Sequence, residues 1–170
     1  MTVKIIDKGW NAIKSALTDM NDSYVKVGFV SGGKHGYKNH SDVPATKSKA
    51  KKVAKGNKSG DIDLASLAAV HEYGTSKIPE RPFMRQAFDK KNRDLTQFTA
   101  LIVKRIGDQS ETVHSGLSKL GVWMQGKVRL EIAQGSFAAL APATARAKGD
   151  PKPLIDTGRM RQAVDFEVVS

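Results

Sequence analysis

Two long stretches of the chain carry apolar residues at helical spacing, one directly after the other. Met84, Phe88, Leu95, Phe98, Ile102 and Ile106 fall on roughly one side of a helix over 83–106. Val113, Leu117, Leu120, Met124, Val128 and Ile132 do the same for a second helix, with Gly107 and Asp108 between them. Each stripe has to be covered along its length, so the chain is committed to packing long helices against other elements. Pro82 suits the first position of the earlier helix, where a missing N–H costs nothing. Asp108 with Glu111 resembles a capping box for the later one, which Gly135 ends. Gly116, Gly121 and Gly126 each lower its helix propensity by about 1 kcal/mol. They permit close approach of another helix, either inside the protomer or across a subunit contact.

Shorter elements flank this pair. Ile6, Trp10, Ile13, Leu17 and Met20 share one face of a first helix, which Asn21 and Asp22 stop. "YVKVGFV" (24–30) alternates, with Val25, Val27 and Phe29 on one side, and reads as a strand. Asp63 is a good N-cap for "LASLAAVHEY", whose Leu64, Leu67, Ala68 and His71 share a face, and Gly74 can close that helix in the left-handed conformation. Further on come a short helix near 142–147, about two helical turns in "TGRMRQAV", and a terminal strand, "DFEVV". The expected architecture is α+β: a small antiparallel or mixed sheet packed by long α-helices, in a single domain over 1–170.

Residues 31–60 contain eight lysines and five glycines against one acid, Asp42, and so carry a net +7 of the chain's +11. They have no period and almost no apolar content, which predicts a mobile loop or insertion. Lys47, Lys49, Lys51, Lys52, Lys55 and Lys58 are candidates for polyanion contact. Three readings stand open for this run: a solvated loop, a grip on nucleic acid, or a match to an acidic protein surface. Tyr37 is the loop's one aromatic, so the stacking platform of single-strand binders is missing.

The chain has no cysteine, which excludes disulfides, thiolate metal sites and Cys nucleophiles. No stretch approaches the ~18–20 apolar residues of a membrane span, and the N-terminus has no signal-peptide pattern. A soluble protein made in cytoplasm, without a membrane partner, is expected.

Enzymatic motifs appear only in fragments. Asp156-Thr157-Gly158 occurs around the catalytic aspartate of aspartic proteases, but too little chain follows to form a flap and substrate-binding strands. Asp156 or Thr157 serves more simply as a cap for the terminal helix, with Gly158 near its first turn. Gly28, Gly33 and Lys34 match a phosphate-binding loop, yet His35 replaces the required Ser or Thr and no helix follows. "HEYGT" lacks a second His four residues after His71. His35, His40, His71 and His114 therefore suggest neither a metal nor a cofactor site, and His71 reads as a partly buried helix residue. No catalytic residue is expected.

Two segments, taken together, resemble one family. In "LAAVHEYGTSKIPERPFMRQAF" (67–88) the signature positions are Ala69, Glu72, Tyr73, Gly74, Thr75, Pro79, Arg81, Pro82 and Phe83. In "LAPATARAKGDPKPLIDTGRMRQAV" (140–164) they are Leu140, Pro142, Thr144, Lys148, Pro153, Leu154, Ile155, Asp156, Thr157 and Gly158. This pair, in this order, is similar to the tail-completion or head–tail joining (neck) proteins of long-tailed bacteriophages, of the lambda minor tail protein Z type and the Mu-like virion morphogenesis type. One departure lies before Pro142, where the family often has an aromatic and this chain has Phe137 further upstream.

The resemblance implies a non-enzymatic virion component that completes the tail or joins it to the head. It also implies ring assembly, often sixfold, and tail terminator, tail tube and head-closure or adaptor proteins as partners. Within the motifs, Gly74 stops a helix, Pro79 and Pro82 stiffen the exit, and Phe83 supplies an apolar anchor. Arg81 can fork onto a carboxylate, with Glu72 as the candidate. Asp156 could pair with Arg159 or Arg161 of a neighbour. The first corner either faces a subunit or neck interface or locks two helices within one protomer.

Overall fold

The computed structural model describes residues 10–29, 64–149 and 151–169. The lysine run of 31–60, the Asp63 cap, Ile6, and Gly33, Lys34 and His35 lie outside the described residues. The elements are α1 (Trp10–Asp22), β1 (Tyr24–Gly28), α2 (Leu64–Tyr73), α3 (Phe83–Gly107), α4 (Val113–Gln134), α5 (Pro142–Lys148), α6 (Arg159–Gln162) and β2 (Asp165–Val169). The architecture is α+β, with a small antiparallel sheet against long helices.

α4 is the element on which the others converge. α3 packs along it, and both strands lie against it. Its buried positions are Gly116, Gly121, Met124, Val128 and Ile132, the last four at the 3–4 spacing of one helical face. α3 contributes Phe83, Ala87, Ile102 and Ile106. β1 and β2 pair antiparallel, from Tyr24 opposite Val169 to Gly28 opposite Asp165. β1 and β2 are thus tied together by ladder hydrogen bonds between residues far apart in sequence. Gln125 and Arg129 secure the turn into β2: the Gln125 amide donates to the Val164 carbonyl at 2.9 Å, and an Arg129 guanidinium nitrogen donates to the same carbonyl at 2.7 Å.

The three helical glycines separate into two kinds. A Cβ on Gly116 would stand 2.5 Å from the Ile102 side chain, and one on Gly121 would run into the ring of Phe166. Gly116 therefore lets α3 approach α4, as expected of a helix neighbour, while Gly121 admits a strand residue. A Cβ on Gly126 would meet nothing within 4 Å.

Four sequence expectations are corrected at element ends. The cap of α4 is Thr112, whose side chain accepts the Ser115 N–H at 3.2 Å, and Asp108 instead ends α3. Glu111 is engaged elsewhere, with the Ser115 hydroxyl and with Lys119 and Arg105. Pro82 stands at the N-cap of α3, one position before its expected place. α6 is a single turn of four residues because Val164 turns inward to the core and β2 begins at Asp165. Gly158, at φ 77°, caps α6 in place of Asp156 or Thr157, both of which are exposed. The apolar face of α1 is only partly covered: no α1 residue is buried, and Trp10 and Leu17 are more than half exposed.

The glycine geometry predicts opposite responses to one added methyl group. Gly121→Ala lowers stability by about 1–3 kcal/mol through overpacking against Phe166. Gly126→Ala raises it by about 0.5–1 kcal/mol through helix propensity alone. Urea unfolding of the two variants checks this; shifts of the same sign would contradict the packing described.

Candidate interaction site

The first corner begins where α2 runs out. Gly74 adopts φ 70° and its N–H donates to the Val70 carbonyl at 2.9 Å. A side chain there would clash with backbone, since a Cβ would lie 2.8 Å from the Glu80 nitrogen and 2.9 Å from the Ile78 oxygen. Thr75 braces the turn that follows. Its hydroxyl accepts the N–H groups of Lys77 and Ile78, and its own N–H donates to the Ile78 carbonyl at 2.8 Å. The Arg81 N–H returns to the His71 carbonyl at 2.7 Å, so the exposed end of α2 is satisfied by the loop it has produced.

Glu72 then serves α3. Pro82 has no side-chain acceptor for the first helical N–H groups, and the Glu72 carboxylate takes that place from the neighbouring helix. Met84 N–H donates to one oxygen at 2.9 Å and Arg85 N–H to the other at 3.0 Å. A carboxylate at a helix N-terminus also meets the positive end of the helix dipole. The Arg85 guanidinium closes the cluster. Its Nε lies 3.1 Å from Glu72, and one terminal nitrogen donates to the Glu72 carbonyl at 2.8 Å and to Glu80 at 3.2 Å. Those carboxylates raise the Arg85 pKa, Glu80 foremost. Arg85 also lies over the ring of Tyr73, itself 72% exposed.

The pairing of Arg81 with Glu72 expected from sequence is therefore corrected: Arg85 holds Glu72, and Arg81 reaches a different target. Arg81 is buried, and it donates to the carbonyls of Ala138 at 2.9 Å and Ala139 at 3.1 Å. It thereby straps the segment leading to α5 against the first corner. A fork of fixed geometry suits two successive carbonyls, which an ammonium would engage less specifically. A third Arg81 nitrogen lies 3.5 Å from His71 Nδ1. Burial pushes the His71 imidazole below its ordinary pKa, with Arg81 and Lys148 adding charge repulsion. Burial likewise lowers that of Arg81.

The second corner meets the first through a shared core. Phe83 is fully buried and packs edge-on to Phe29 at 6.2 Å between centroids. Met160 and Val164 lie in the same cluster, with Leu154, Ile155 and Phe137 against its edge. Leu154 takes φ 62°, uncommon for a non-glycine residue, and the Ile155 N–H donates back to Pro153 at 2.8 Å. This tight turn directs Leu154 and Ile155 inward and leaves Asp156 and Thr157 exposed. Arg159 is half-buried beside them.

The site thus divides into a hidden part (Glu72, Arg81, Phe83) and an outward part (Tyr73, Thr75, Asp156, Thr157). Sequence reading missed Arg85, Gln125 and Arg129. The signal for Arg85 was Pro82 itself: a helix opened by proline needs an outside acceptor, and an acceptor carboxylate attracts a cation from the first turn. Nothing in the local sequence marks Gln125 and Arg129, whose partners are backbone carbonyls 33 to 39 residues away. Among the described residues no group of three or more His, Asp or Glu could hold a metal ion.

Two measurements test these assignments. Glu72→Ala exposes the start of α3 and strands Arg85, which costs about 2–4 kcal/mol; Arg85→Ala, at a half-exposed side chain, costs clearly less. Chemical unfolding giving the reverse order would refute Glu72 as the cap. For His71, the lowered folded pKa means that the unfolded chain binds the proton first. Its contribution is complete above the ordinary value of about 6.5 and is lost as pH falls from there towards the folded pKa. The wild-type melting temperature should therefore drop more than that of His71→Gln between pH 7.5 and 5.5; parallel profiles would count against the burial effect.

No family model matches the chain, and no solved structure matches it. It is similar to an uncharacterized protein of Methanocaldococcus jannaschii, at 38% identity over 66 residues, 38% of this chain and 49% of that protein. The match therefore spans about half the relative's length.

Proposed function

We propose that the chain is a structural virion protein of a long-tailed bacteriophage, acting without a bond-making step to complete the tail or join it to the head. The observation that supports this reading is the use made of the signature residues. Glu72 and Arg81, the buried charged residues among those described, are consumed in hydrogen bonds to backbone N–H and carbonyl groups. Their role is to hold two corners rigidly over one core. The residues left facing outward, Tyr73, Thr75, Asp156 and Thr157, form surfaces presented with little ordering entropy still to lose, which favours docking. Neck and tail proteins of the head-closure, terminator and tube kinds are the partners on this reading, in a closed ring of copies.

The sequence supports one further reading of different class. The +7 carried by residues 31–60 would favour phosphate contact by Lys47, Lys49, Lys51, Lys52, Lys55 and Lys58, with affinity falling steeply as salt rises. Binding to non-specific duplex DNA across a salt series separates the two.

Tyr73→Ala combined with Asp156→Ala should leave the melting temperature within about 2 °C of wild type, since both side chains are exposed. The phage encoding this protein should then yield at least tenfold fewer infectious particles, with heads and tails accumulating unjoined. Full infectivity from phage lacking the gene altogether would overturn the proposal.

A further inference from the structure

Among the described residues the sheet has two strands, so each strand keeps an outer edge. β1 and β2 pair with one another over five residues. Neither strand makes a backbone hydrogen bond to any other part of the described chain. One amide, that of Phe166, is met by its neighbour's Asp165 carboxylate at 2.9 Å. Successive residues of an antiparallel strand turn their N–H and C=O groups to opposite sides, so donors and acceptors stay open along both edges. Side-chain charge decides what can be added there. Phe166 lies over Gly121 of α4, and Val27 packs at the border of the core. By alternation Val25 and Val168 share that face. Tyr24, Lys26, Glu167 and Val169 share the other, where Lys26 stands opposite Glu167 at 3.9 Å, both half-exposed. The middle of β1 is thus positive and the middle of β2 negative. At full overlap, β1 against the β1 of another copy would set Lys26 against Lys26, and β2 against β2 would set Glu167 against Glu167. Like charges directly opposite are unfavourable. β1 against β2 sets Lys26 against Glu167 once more.

We infer that the outer edge of β2 receives β1 from a second copy of the same chain, antiparallel and in the register found within the protomer. Apolar residues then meet apolar residues: Val25 opposite Val168 and Val27 opposite Phe166 on the helix side, Tyr24 opposite Val169 on the other. The backbone is in phase as well. Residues that are partners in this register within the protomer point outward together, so the open groups of one edge face those of the other. The two edges are different surfaces of one chain. The contact is therefore head-to-tail, and copies joined this way close into a ring or extend as a filament. Two strands advance the sheet by roughly 10 Å per copy, about the width of one helix. The further helices of each copy need more room, so successive copies rotate with their helices on the convex side. Curvature of one sign favours closure, which leaves no edge open. Five residues per strand make a small contact, so association is weak and concentration-dependent.

The full chain is measured by sedimentation from about 1 to about 300 μM, the range in which weak contacts populate, together with residue-resolved hydrogen exchange. Wild type grows beyond a monomer across this range. The edge amides within 24–28 and 165–169 exchange at least tenfold more slowly at the high end. Lys26→Glu and Glu167→Lys each set like charges across the contact and weaken association at least fivefold, while melting cooperatively. A 1:1 mixture of the two variants assembles again with the same edge protection, because every contact between unlike copies opposes plus to minus. Lys26→Glu combined with Glu167→Lys in one chain assembles like wild type. Wild type that stays monomeric, growth without edge protection, single reversals that assemble like wild type, or a mixture that stays monomeric would each overturn the contact. The contact follows from the strands alone, and the gene-loss experiment does not bear on it, so this contact and the neck assignment fail separately.

Discussion

The fold turns on one carboxylate. Glu72 sits at the end of α2 and satisfies the opening N–H groups of α3, a helix that begins after proline and has no cap of its own. Without an acceptor those groups would be enclosed beside the buried Phe83 and unable to reach water. Because donor and acceptor belong to different helices, the bond sets the angle at which α3 leaves α2, and hence the direction of the longest helix among the described residues. Arg85, drawn from the same first turn, balances the charge and keeps the carboxylate in position.

From that direction the remaining packing follows. α3 runs along α4, and α4 receives the strand pair on another side, with Gly116 and Gly121 giving room to Ile102 and Phe166 respectively. Arg81 performs for the loop what Glu72 performs for the helix. It gathers two carbonyls that belong to no ladder, and so brings the segment before α5 against the corner. Gln125 and Arg129 repeat the device for the turn into β2. Polar side chains reaching to main chain join the elements at these points, beside ion pairs such as Lys90–Glu131 between α3 and α4. Such bonds carry positional information, because a carbonyl has a fixed place in the fold while a surface charge accepts many partners.

Much of this architecture was legible beforehand. The apolar spacings of 83–106 and 113–132 located α3 and α4 within a residue or two, since a long amphipathic stripe has few other solutions. Gly74 announced its positive φ, and Phe83 its burial. The misjudged features were all local ambiguities resolved at a distance. Asp108 and Thr112 are both plausible caps, and the choice depended on where α3 chose to end. Arg81 and Arg85 are both within reach of Glu72 by sequence, and the choice depended on which one the helix turned towards it. Asp156 and Thr157 lost the cap of α6 to Gly158 because the Leu154 turn had already aimed Leu154 and Ile155 inward.

The sequence by itself determined which segments are helix or strand, where the chain must bend, and which side chains are too apolar to remain in water. Those properties arise from periodicity, backbone freedom and transfer from water, all of which act within a few residues. Only the tertiary structure decided which cation met Glu72, which of three glycines faced a neighbour inside the protomer, and how far the apolar residues of α1 were exposed. Each of those outcomes is a competition among groups distant in sequence, and it is settled by the relative placement of whole elements.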